Sequence, residues 1–159
     1  MTAASDLLRS AFRRHAAGVA VITAQSGAGP VGFTATSLTS VSADPPLVSF
    51  GINTAGSCWP AVSEASHIGV HMLGEHQQEL ATHFARSGAD RFAAPTIWRR
   101  GPKGVPILND VPVWLVCRVV ARVPAGEHRV MLAEVVVGSP AGPGRPLIYH
   151  QGQFNTLRC

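Results

Sequence analysis

The sequence has little charge. Only 14% of its 159 residues are Asp, Glu, Lys or Arg, whereas 46% are hydrophobic. Disordered segments show the opposite balance, so this composition predicts a chain that buries a core. The net charge is +4, and the basic residues form no run longer than the pairs Arg13 with Arg14 and Arg99 with Arg100. Because proteins that follow nucleic-acid backbones carry extended basic stripes, we expect no nucleic-acid partner.

Cysteine and long apolar runs are also scarce. The three cysteines, Cys58, Cys117 and Cys159, are odd in number and contain no C-x-x-C spacing. They predict neither a disulfide framework nor a zinc site, and we expect the cytoplasm as the compartment. No apolar run reaches the roughly 18 residues that a membrane span requires, so no membrane association is expected.

What the sequence does contain is turn residues between short periodic segments. Sixteen glycines and twelve prolines favour many turns over long helices. The predicted helices start at Ser5 and Asp6 and end before Gly18, cover 57–65 with Ser57 as the cap, and cover 75–86. The predicted strands span residues 19–23, 31–35, 47–52, 68–73, 113–123, 128–137 and 147–150. Because strands and helices do not alternate, we expect one domain over 1–159, mainly β with helical additions, built as an antiparallel barrel.

Two segments carry more detailed expectations. In the strand 113–123, alternate residues from Val113 to Val123 are predicted to share one face, with Trp114, Arg118 and Arg122 on the other. The segment 87–110 shows little periodicity and is predicted to form a long functional or partner-facing loop.

Several motifs suggest chemistry that their context does not favour. Residues 27–32 match G-x-G-x-x-G, but β-favouring residues follow where a dinucleotide loop needs a helix, so we predict a hairpin turn. His67 and His71 lie on a predicted strand about 13 Å apart, too far for one metal ion. His76 and His83 share a predicted helix face without further ligands at suitable spacing. We therefore predict no metal site.

The hydroxyl-rich segment 34–42 allows two interpretations. It is either a polar strand edge or a set of hydroxyl and backbone N–H donors around an anionic or heteroaromatic ligand. Ser57, at the predicted start of a helix, adds a position favourable to a phosphate group. No G-x-S-x-G sequence is present, so nothing indicates a nucleophile elbow.

A family resemblance rests on several motifs in one order along the chain. They are residues 18–23 (GVAVIT), 32–42 (GFTATSLTSVS), 44–48 (DPPLV), Asn53 to Ser57, 83–85 (HFA) with Arg91 and Phe92, 126–128 (GEH), and 149–154 (YHQGQF). Together they resemble the short-chain flavin reductases, which are the reductase components of two-component flavin-dependent monooxygenases. The resemblance spans about Phe12 to Phe154.

This resemblance implies a fold, cofactors and partners. The fold would be a split β-barrel of the FMN-binding type, assembled as a homodimer. The protein would use NADH or NADPH to reduce dissociable FMN or FAD, and would supply reduced flavin to a flavin-dependent monooxygenase. Neutral hydroxyl donors contribute about 0.5–1.5 kcal/mol each, which suits a flavin that must dissociate.

The resemblance also implies the site residues. The flavin would be bound by Thr34, Ala35, Thr36, Ser37, Ser40, Asn53, Ser57, His83, Phe84, Ala85 and Arg91. Gly126, His128 and Tyr149 would lie near the nicotinamide, with His128 as the catalytic residue that positions it. Either Arg91 or Arg86 would neutralise the phosphate, because no basic residue lies between Asn53 and Ser57. The family's Gly-Asp-His motif reads Gly-Glu-His here, which weakens the transfer of a role to Glu127.

Two other functions are compatible with the same barrel. One is a non-catalytic flavin- or haem-binding protein, and the other is a flavin oxidase of the pyridoxamine-phosphate-oxidase type. The Gly-x-His motif and the Thr-Ala-Thr-Ser segment favour the reductase. Consumption of NADH with excess free FMN separates these possibilities, because a carrier would consume none.

Overall fold

The computed structural model describes residues 2–87 and 90–158, which leaves Cys159 outside. Within these ranges the helices are α1 (Ala3–Arg13), α2 (Trp59–Glu64) and α3 (Gln78–Ala85), with short 3-10 turns at Glu75–Gln77 and Pro102–Gly104. The strands are β1 (Ala17–Gly18), β2 (Ala20–Ser26), β3 (Gly29–Ala35), β4 (Thr39–Ala43), β5 (Pro46–Asn53), β6 (His67–Met72), β7 (Trp98–Arg100), β8 (Pro106–Leu108), β9 (Val113–Ala125), β10 (His128–Ser139), β11 (Leu147–His150) and β12 (Gln153–Thr156).

Seven strands form one antiparallel sheet in the order β3–β2–β6–β9–β10–β5–β4. Strands β1, β11 and β12 form a second sheet, and β7 pairs with β8. The predicted mainly β, antiparallel class is confirmed. In the described part of the chain no pairing joins β3 to β4, so the large sheet has two open edges rather than closing on itself.

The predicted hairpin at the G-x-G-x-x-G sequence is present. Strands β2 and β3 pair from Ala20 opposite Ala35 to Ser26 opposite Gly29. Gly29 has φ +125°, a backbone conformation that glycine adopts without a steric penalty. Because a strand rather than a helix follows, the motif serves the turn and not a dinucleotide.

The predicted strict alternation of side chains along β9 is wrong. Its pairing with β10 shifts between Leu132 and Ala133, which leaves Val120 as an extra residue on β9. Such a bulge changes which face later side chains occupy. Val116 and Cys117 are neighbours, yet both are fully buried. Both faces of the strand are therefore covered at this point.

The segment 87–110, predicted to be a long functional or partner-facing loop, packs on the sheet over much of its described length. Val105, Ile107 and Leu108 are buried, and the first two contact Val116. The Arg99 guanidinium lies 5.4 Å from the centroid of the Trp114 ring. This segment therefore supplies the second layer over β9. Proline and glycine interrupt the apolar residues of this segment, so the sequence shows no helical or strand periodicity that would predict their burial.

His71 ties this segment to the sheet. Its Nε2 accepts a hydrogen bond from the Leu108 backbone N–H at 3.1 Å, so Nδ1 carries the proton and donates to the Val21 carbonyl at 3.0 Å. The ring is fully buried, and this burial lowers the pKa of His71 to about 4. The histidine is a neutral scaffold residue, as its strand position predicts.

The depressed pKa of His71 predicts a stability that falls in acid. Below about pH 6.5, His71 is protonated in the unfolded chain but stays neutral in the folded protein. The free energy of unfolding therefore decreases by about 1.4 kcal/mol for each unit that the pH falls. From about pH 6.5 to the folded pKa, the total is roughly 3 kcal/mol. Denaturant unfolding at several pH values measures this slope. His71→Gln should flatten it even if that variant is less stable overall, and an unchanged slope would assign the acid sensitivity to other groups.

The helices differ from their predicted ends. The cap of α2 is Cys58 rather than Ser57 and makes no side-chain hydrogen bond, while Pro60 lies in the first turn as predicted. Thr2 caps α1, because its hydroxyl accepts a hydrogen bond from the Ser5 N–H, and the helix ends at Arg13. No residue of α1 is buried. Across residues 2–87 and 90–158, the structure contains no helix of the length and apolar character that a bilayer crossing needs.

Candidate functional site

Two adjoining depressions form a groove between β3, β5 and the start of α2. Their volumes are about 190 and 370 Å³, and they share Phe33, Ile52 and Asn53. We use "the groove" for both, lined by residues 33–37, 51–53, 56–59, Ser87, Arg91 and His128. The groove thus brings together Thr34, Ala35, Thr36, Ser37, Asn53, Ser57, Arg91 and His128 from the predicted site.

The middle of the groove is apolar with a hydroxyl-rich wall. Phe33 packs 6.2 Å from Phe50, between ring centroids, on the main core. The Ser37 hydroxyl accepts a hydrogen bond from the Gly51 N–H at 2.9 Å, which ties the two walls together. Thr34 donates its hydroxyl to the Ala81 carbonyl at 2.6 Å, so that hydroxyl holds α3 against β3. The Thr36 hydroxyl is exposed and makes no hydrogen bond within the described residues.

One end of the groove is basic. The Arg91 guanidinium donates through Nε and Nη2 to the Arg86 carbonyl at 3.1 and 3.0 Å. Its Nη1 donates to the Gly32 carbonyl at 2.6 Å and lies 3.6 Å from the Cys58 sulfur. All of these partners are neutral, and no carboxylate in the described part of the chain pairs with Arg91. Ser57 lines the same end with an exposed hydroxyl. This end therefore has the charge and the donors to bind an anion.

His128 lines the depression that does not include Ser57 and Arg91. It is the first residue of β10 and lies opposite Asn53 of β5 in the strand register. Gly126 turns the chain before it at φ +61°, a conformation that favours glycine. The Glu127 carbonyl accepts hydrogen bonds from the Thr54 N–H and hydroxyl at 3.1 and 3.0 Å. Since this contact uses backbone atoms of the turn, it does not depend on whether the side chain is Asp or Glu.

Several predicted site residues lie outside the groove. Ser40 is exposed on the edge strand β4, paired with Val48. Phe84 is fully buried and packs edge-on to Phe92 at 5.2 Å. Ala85 ends α3 and is exposed.

His83 lines a separate cavity of about 880 Å³ on the outer side of α3, together with Arg86. Its Nε2 is buried without a hydrogen-bond partner in the described structure. Successive residues on a helix point in different directions, so 83–85 cannot all face one ligand. Tyr149 lines a third depression beside α1, and Gly126 supports the turn without lining the groove.

The groove also contains residues that no sequence pattern indicates. Cys58 is buried, and its thiol donates to the Gly32 carbonyl at 3.3 Å. Trp59 lies under the Arg129 guanidinium, 5.7 Å from the ring centroid. Gly51 and Ile52 belong to an apolar strand. Trp59 comes directly before Pro60 at a helix start, but only the fold shows which surface it borders.

Comparisons with known proteins agree on one family. The model of the flavin reductase like domain family matches residues 12–158. An NADH:FMN oxidoreductase from Rhodococcus qingshengii is 44% identical over 150 residues, covering 92% of this chain and 78% of that protein. The reductase component of a 4-nitrophenol 4-monooxygenase/4-nitrocatechol 2-monooxygenase from Rhodococcus opacus is 37% identical over 148 residues, covering 92% and 77%.

A solved structure supports the same assignment. The crystal structure of a flavin reductase domain protein from Arthrobacter sp. FB24 superposes with a TM-score of 0.92 at 44% identity, covering 98% of this chain and 96% of that one. The family match spans nearly the whole chain, and the similarity extends over both sequence and fold. The protein belongs to the flavin reductase like domain family.

Proposed function

We propose that this protein is a flavin reductase that oxidises NADH, reduces dissociable FMN or FAD, and supplies reduced flavin to a partner monooxygenase in the cytoplasm. The observation that carries the proposal is the groove, which brings together Arg91, a cation that no carboxylate of the described residues pairs with, and His128. The relatives support NADH as the donor and FMN as an acceptor. We further propose that residues 1–159 form one domain and that the open sheet is a split β-barrel of the FMN-binding type.

The groove fits a flavin by shape and chemistry. Phe33 and Ile52 offer apolar surface to a planar ring, and Gly51 has no side chain of its own to narrow the groove. The walls carry neutral donors and acceptors from Thr36, Ser37 and the strand backbone. When bound, a flavin supplies an acceptor for the hydride of a reduced nicotinamide. The residues of this chain bind and orient both molecules.

We assign three roles along the groove. The isoalloxazine and ribityl chain are held by Thr34, Ala35, Thr36 and Ser37, in which Thr34 acts through its backbone and its bond to α3. The phosphate is held at the basic end by Ser57 and Arg91, together with Asn53, which lines both depressions. Of the two arginines considered from the sequence, Arg91 has the better position, because Arg86 lines the cavity outside α3. His128 orients the nicotinamide.

The open groove and its neutral walls suit a flavin that leaves after reduction. Hydrogen bonds between neutral groups contribute about 0.5–1.5 kcal/mol each, whereas those to charged groups contribute about 1.5–3 kcal/mol. In this proposal a single cation, Arg91, binds the flavin phosphate. A partner oxygenase can therefore capture the reduced flavin by diffusion, as a reductase component requires.

We also propose that the protein is a homodimer. Leu7 and Leu8 on α1 are 70% and 59% exposed, and bulge residues Val120 and Val136 are both 48% exposed. Large apolar side chains in such numbers mark surfaces that a second copy covers. Sedimentation at micromolar concentration should give about twice the 16.7 kDa chain mass. A species of single-chain mass that still turns over NADH would contradict this proposal.

Steady-state kinetics test the proposed activity. With excess free FMN or FAD under air, the protein should oxidise many equivalents of NADH, and the rate should saturate in both substrates. A non-catalytic carrier would show no turnover. A flavin oxidase of the pyridoxamine-phosphate type would consume oxygen with its own substrate but would not respond to NADH. Either of the latter results would overturn the proposal.

A further inference from the structure

The cavity on the outer side of α3, which we call the α3 cavity, has no part in the proposed reaction. Its volume of about 880 Å³ lies within the usual range of about 300–1,000 Å³ for ligand sites. One wall is formed by α3 and the turn before it, and the other by Pro95 and Thr96. None of its lining residues lines the groove, so the two are separate sites in the described part of the chain.

Two groups that line the α3 cavity have no partner for their side chains. The Nε2 of His83 is buried and makes no hydrogen bond in the described structure. A buried polar atom in that state costs free energy, which a ligand atom within reach would recover. Arg86 follows three residues later, is exposed, and pairs with no carboxylate among residues 2–87 and 90–158. An imidazole and a guanidinium are therefore both available to an anionic ligand.

The rest of the lining limits the ligand to one negative charge. His76 lines the cavity, but its Nε2 already lies 3.3 Å from the Asp110 carboxylate. Glu79 is the one acidic residue among the described residues that line the cavity, and it would repel a polyanion. Leu80 and Pro95 add apolar surface. This lining suits a molecule with a single carboxylate and an apolar body.

The walls of the α3 cavity also hold Arg91, the cation of the groove. The Arg86 carbonyl accepts hydrogen bonds from Nε and Nη2 of Arg91 at 3.1 and 3.0 Å. From the other wall, the Thr96 hydroxyl donates to the Arg91 carbonyl at 2.7 Å. Arg91 itself does not line the cavity. A ligand that contacts both walls therefore holds the two groups that position Arg91.

We propose that the α3 cavity is an effector site, which binds a monocarboxylic acid with an apolar body and thereby strengthens FMN binding in the groove. The carboxylate accepts hydrogen bonds from the Arg86 guanidinium and from Nε2–H of His83, and the apolar body packs on Leu80 and Pro95. The binding of the acid is independent of the proposed function. Only its coupling to FMN rests on that function, which assigns the flavin phosphate to Arg91.

Calorimetry with 2-naphthoate and the flavin-free protein tests the site without using activity. The neutral 2-naphthamide should bind several-fold more weakly, because it lacks the charge. Arg86→Gln should weaken 2-naphthoate binding about three- to fivefold, the scale of an exposed charge contact. Arg14→Gln is the matched control, because Arg14 is exposed and outside the cavity. No binding of 2-naphthoate, or equal effects of the two variants, would overturn the inference.

A second variant tests the role of the buried nitrogen. His83→Phe retains an aromatic ring but removes Nε2, so it should weaken 2-naphthoate binding severalfold. The melting temperature of the free protein should not fall, because the variant deletes a buried polar atom that has no partner in the described structure. A lower melting temperature with unchanged binding of 2-naphthoate would show that His83 only supports the fold.

Flavin titrations test the coupling to the groove. Saturating 2-naphthoate should tighten FMN binding about fivefold and leave riboflavin unchanged, because riboflavin has no phosphate for Arg91. By linkage, saturating FMN should tighten 2-naphthoate binding by the same factor. If FMN instead weakens 2-naphthoate binding, the acid occupies the groove and the site is wrong. If the two bind independently, or both flavins gain equally, the effector role fails, whereas turnover of NADH with FMN alone decides the proposed function.

Discussion

Replacing Arg91 with glutamine should weaken FMN binding about 10- to 100-fold and leave riboflavin binding almost unchanged. The reason is that Arg91 is bound by neutral carbonyl groups of Gly32 and Arg86, so its charge is available to a phosphate. Riboflavin has no phosphate and cannot use that charge. Fluorescence titration of both flavins measures the difference.

Two further variants separate the loss of the Arg91 charge at the phosphate from a general charge effect and from a folding defect. Arg86→Gln removes the same charge from a side chain outside the groove, so it should change FMN affinity less than twofold or so. Arg91→Gln also removes several hydrogen bonds, so we expect a lower melting temperature. Should it fail to fold, Arg91→Lys retains the charge and should retain most of the preference for FMN over riboflavin. Equal losses of both flavins in Arg91→Gln would remove Arg91 from the phosphate site.

Replacing His128 with alanine should slow NADH-dependent flavin reduction by about tenfold for every 1.4 kcal/mol of lost positioning. His128 lines the depression of the groove that Ser57 and Arg91 do not line, and it lies opposite Asn53 in the strand register. Its side chain is exposed, and an imidazole offers an N–H donor and a nitrogen acceptor to the nicotinamide carboxamide that we propose it orients. FMN affinity should stay close to that of wild type, because the proposed function assigns the flavin to other segments.

The conservative variant and the donor series distinguish this role from a structural one. His128→Gln restores an N–H donor and should recover part of the rate. 1-Benzyl-1,4-dihydronicotinamide, a donor without phosphates, retains the carboxamide, so His128→Ala should slow that donor as well. If the alanine variant reduces bound flavin at the wild-type rate with wild-type dependence on NADH, His128 is only a strand residue.

The strands were predictable from sequence because their signal is local. In residues 128–137 and 147–150, apolar side chains alternate or cluster within the segment itself, so the pattern can be recognised without knowing the neighbouring strands. Both segments form strands. The bulge at Val120 and the covering of Trp114 by Arg99 depend on partners far along the chain. No period within β9 reports them.

The site, too, could be predicted from the sequence only in part. Motif resemblance pointed to 34–37, Asn53, Ser57 and His128, which the fold brings to one groove. Phe84 belongs to the same motif set but fills the core beside Gly32, where a Cβ would lie 2.9 Å from its ring. The motif therefore serves packing as well as binding, and sequence alone does not separate the two. Nor does it show that Arg91 is unpaired, since that depends on which carbonyls surround it.

The most direct test of the account follows the hydride itself. Under anaerobic conditions, the FMN complex is mixed with NADH in a stopped-flow instrument, and the flavin absorbance is recorded. The account predicts complete bleaching by one equivalent of NADH, much faster than for free FMN, with a slower rate when the transferred hydrogen at C4 is deuterium. A flavin that stays oxidised, or that bleaches no faster with the protein than without it, would contradict the assignment of the groove as the site of flavin reduction.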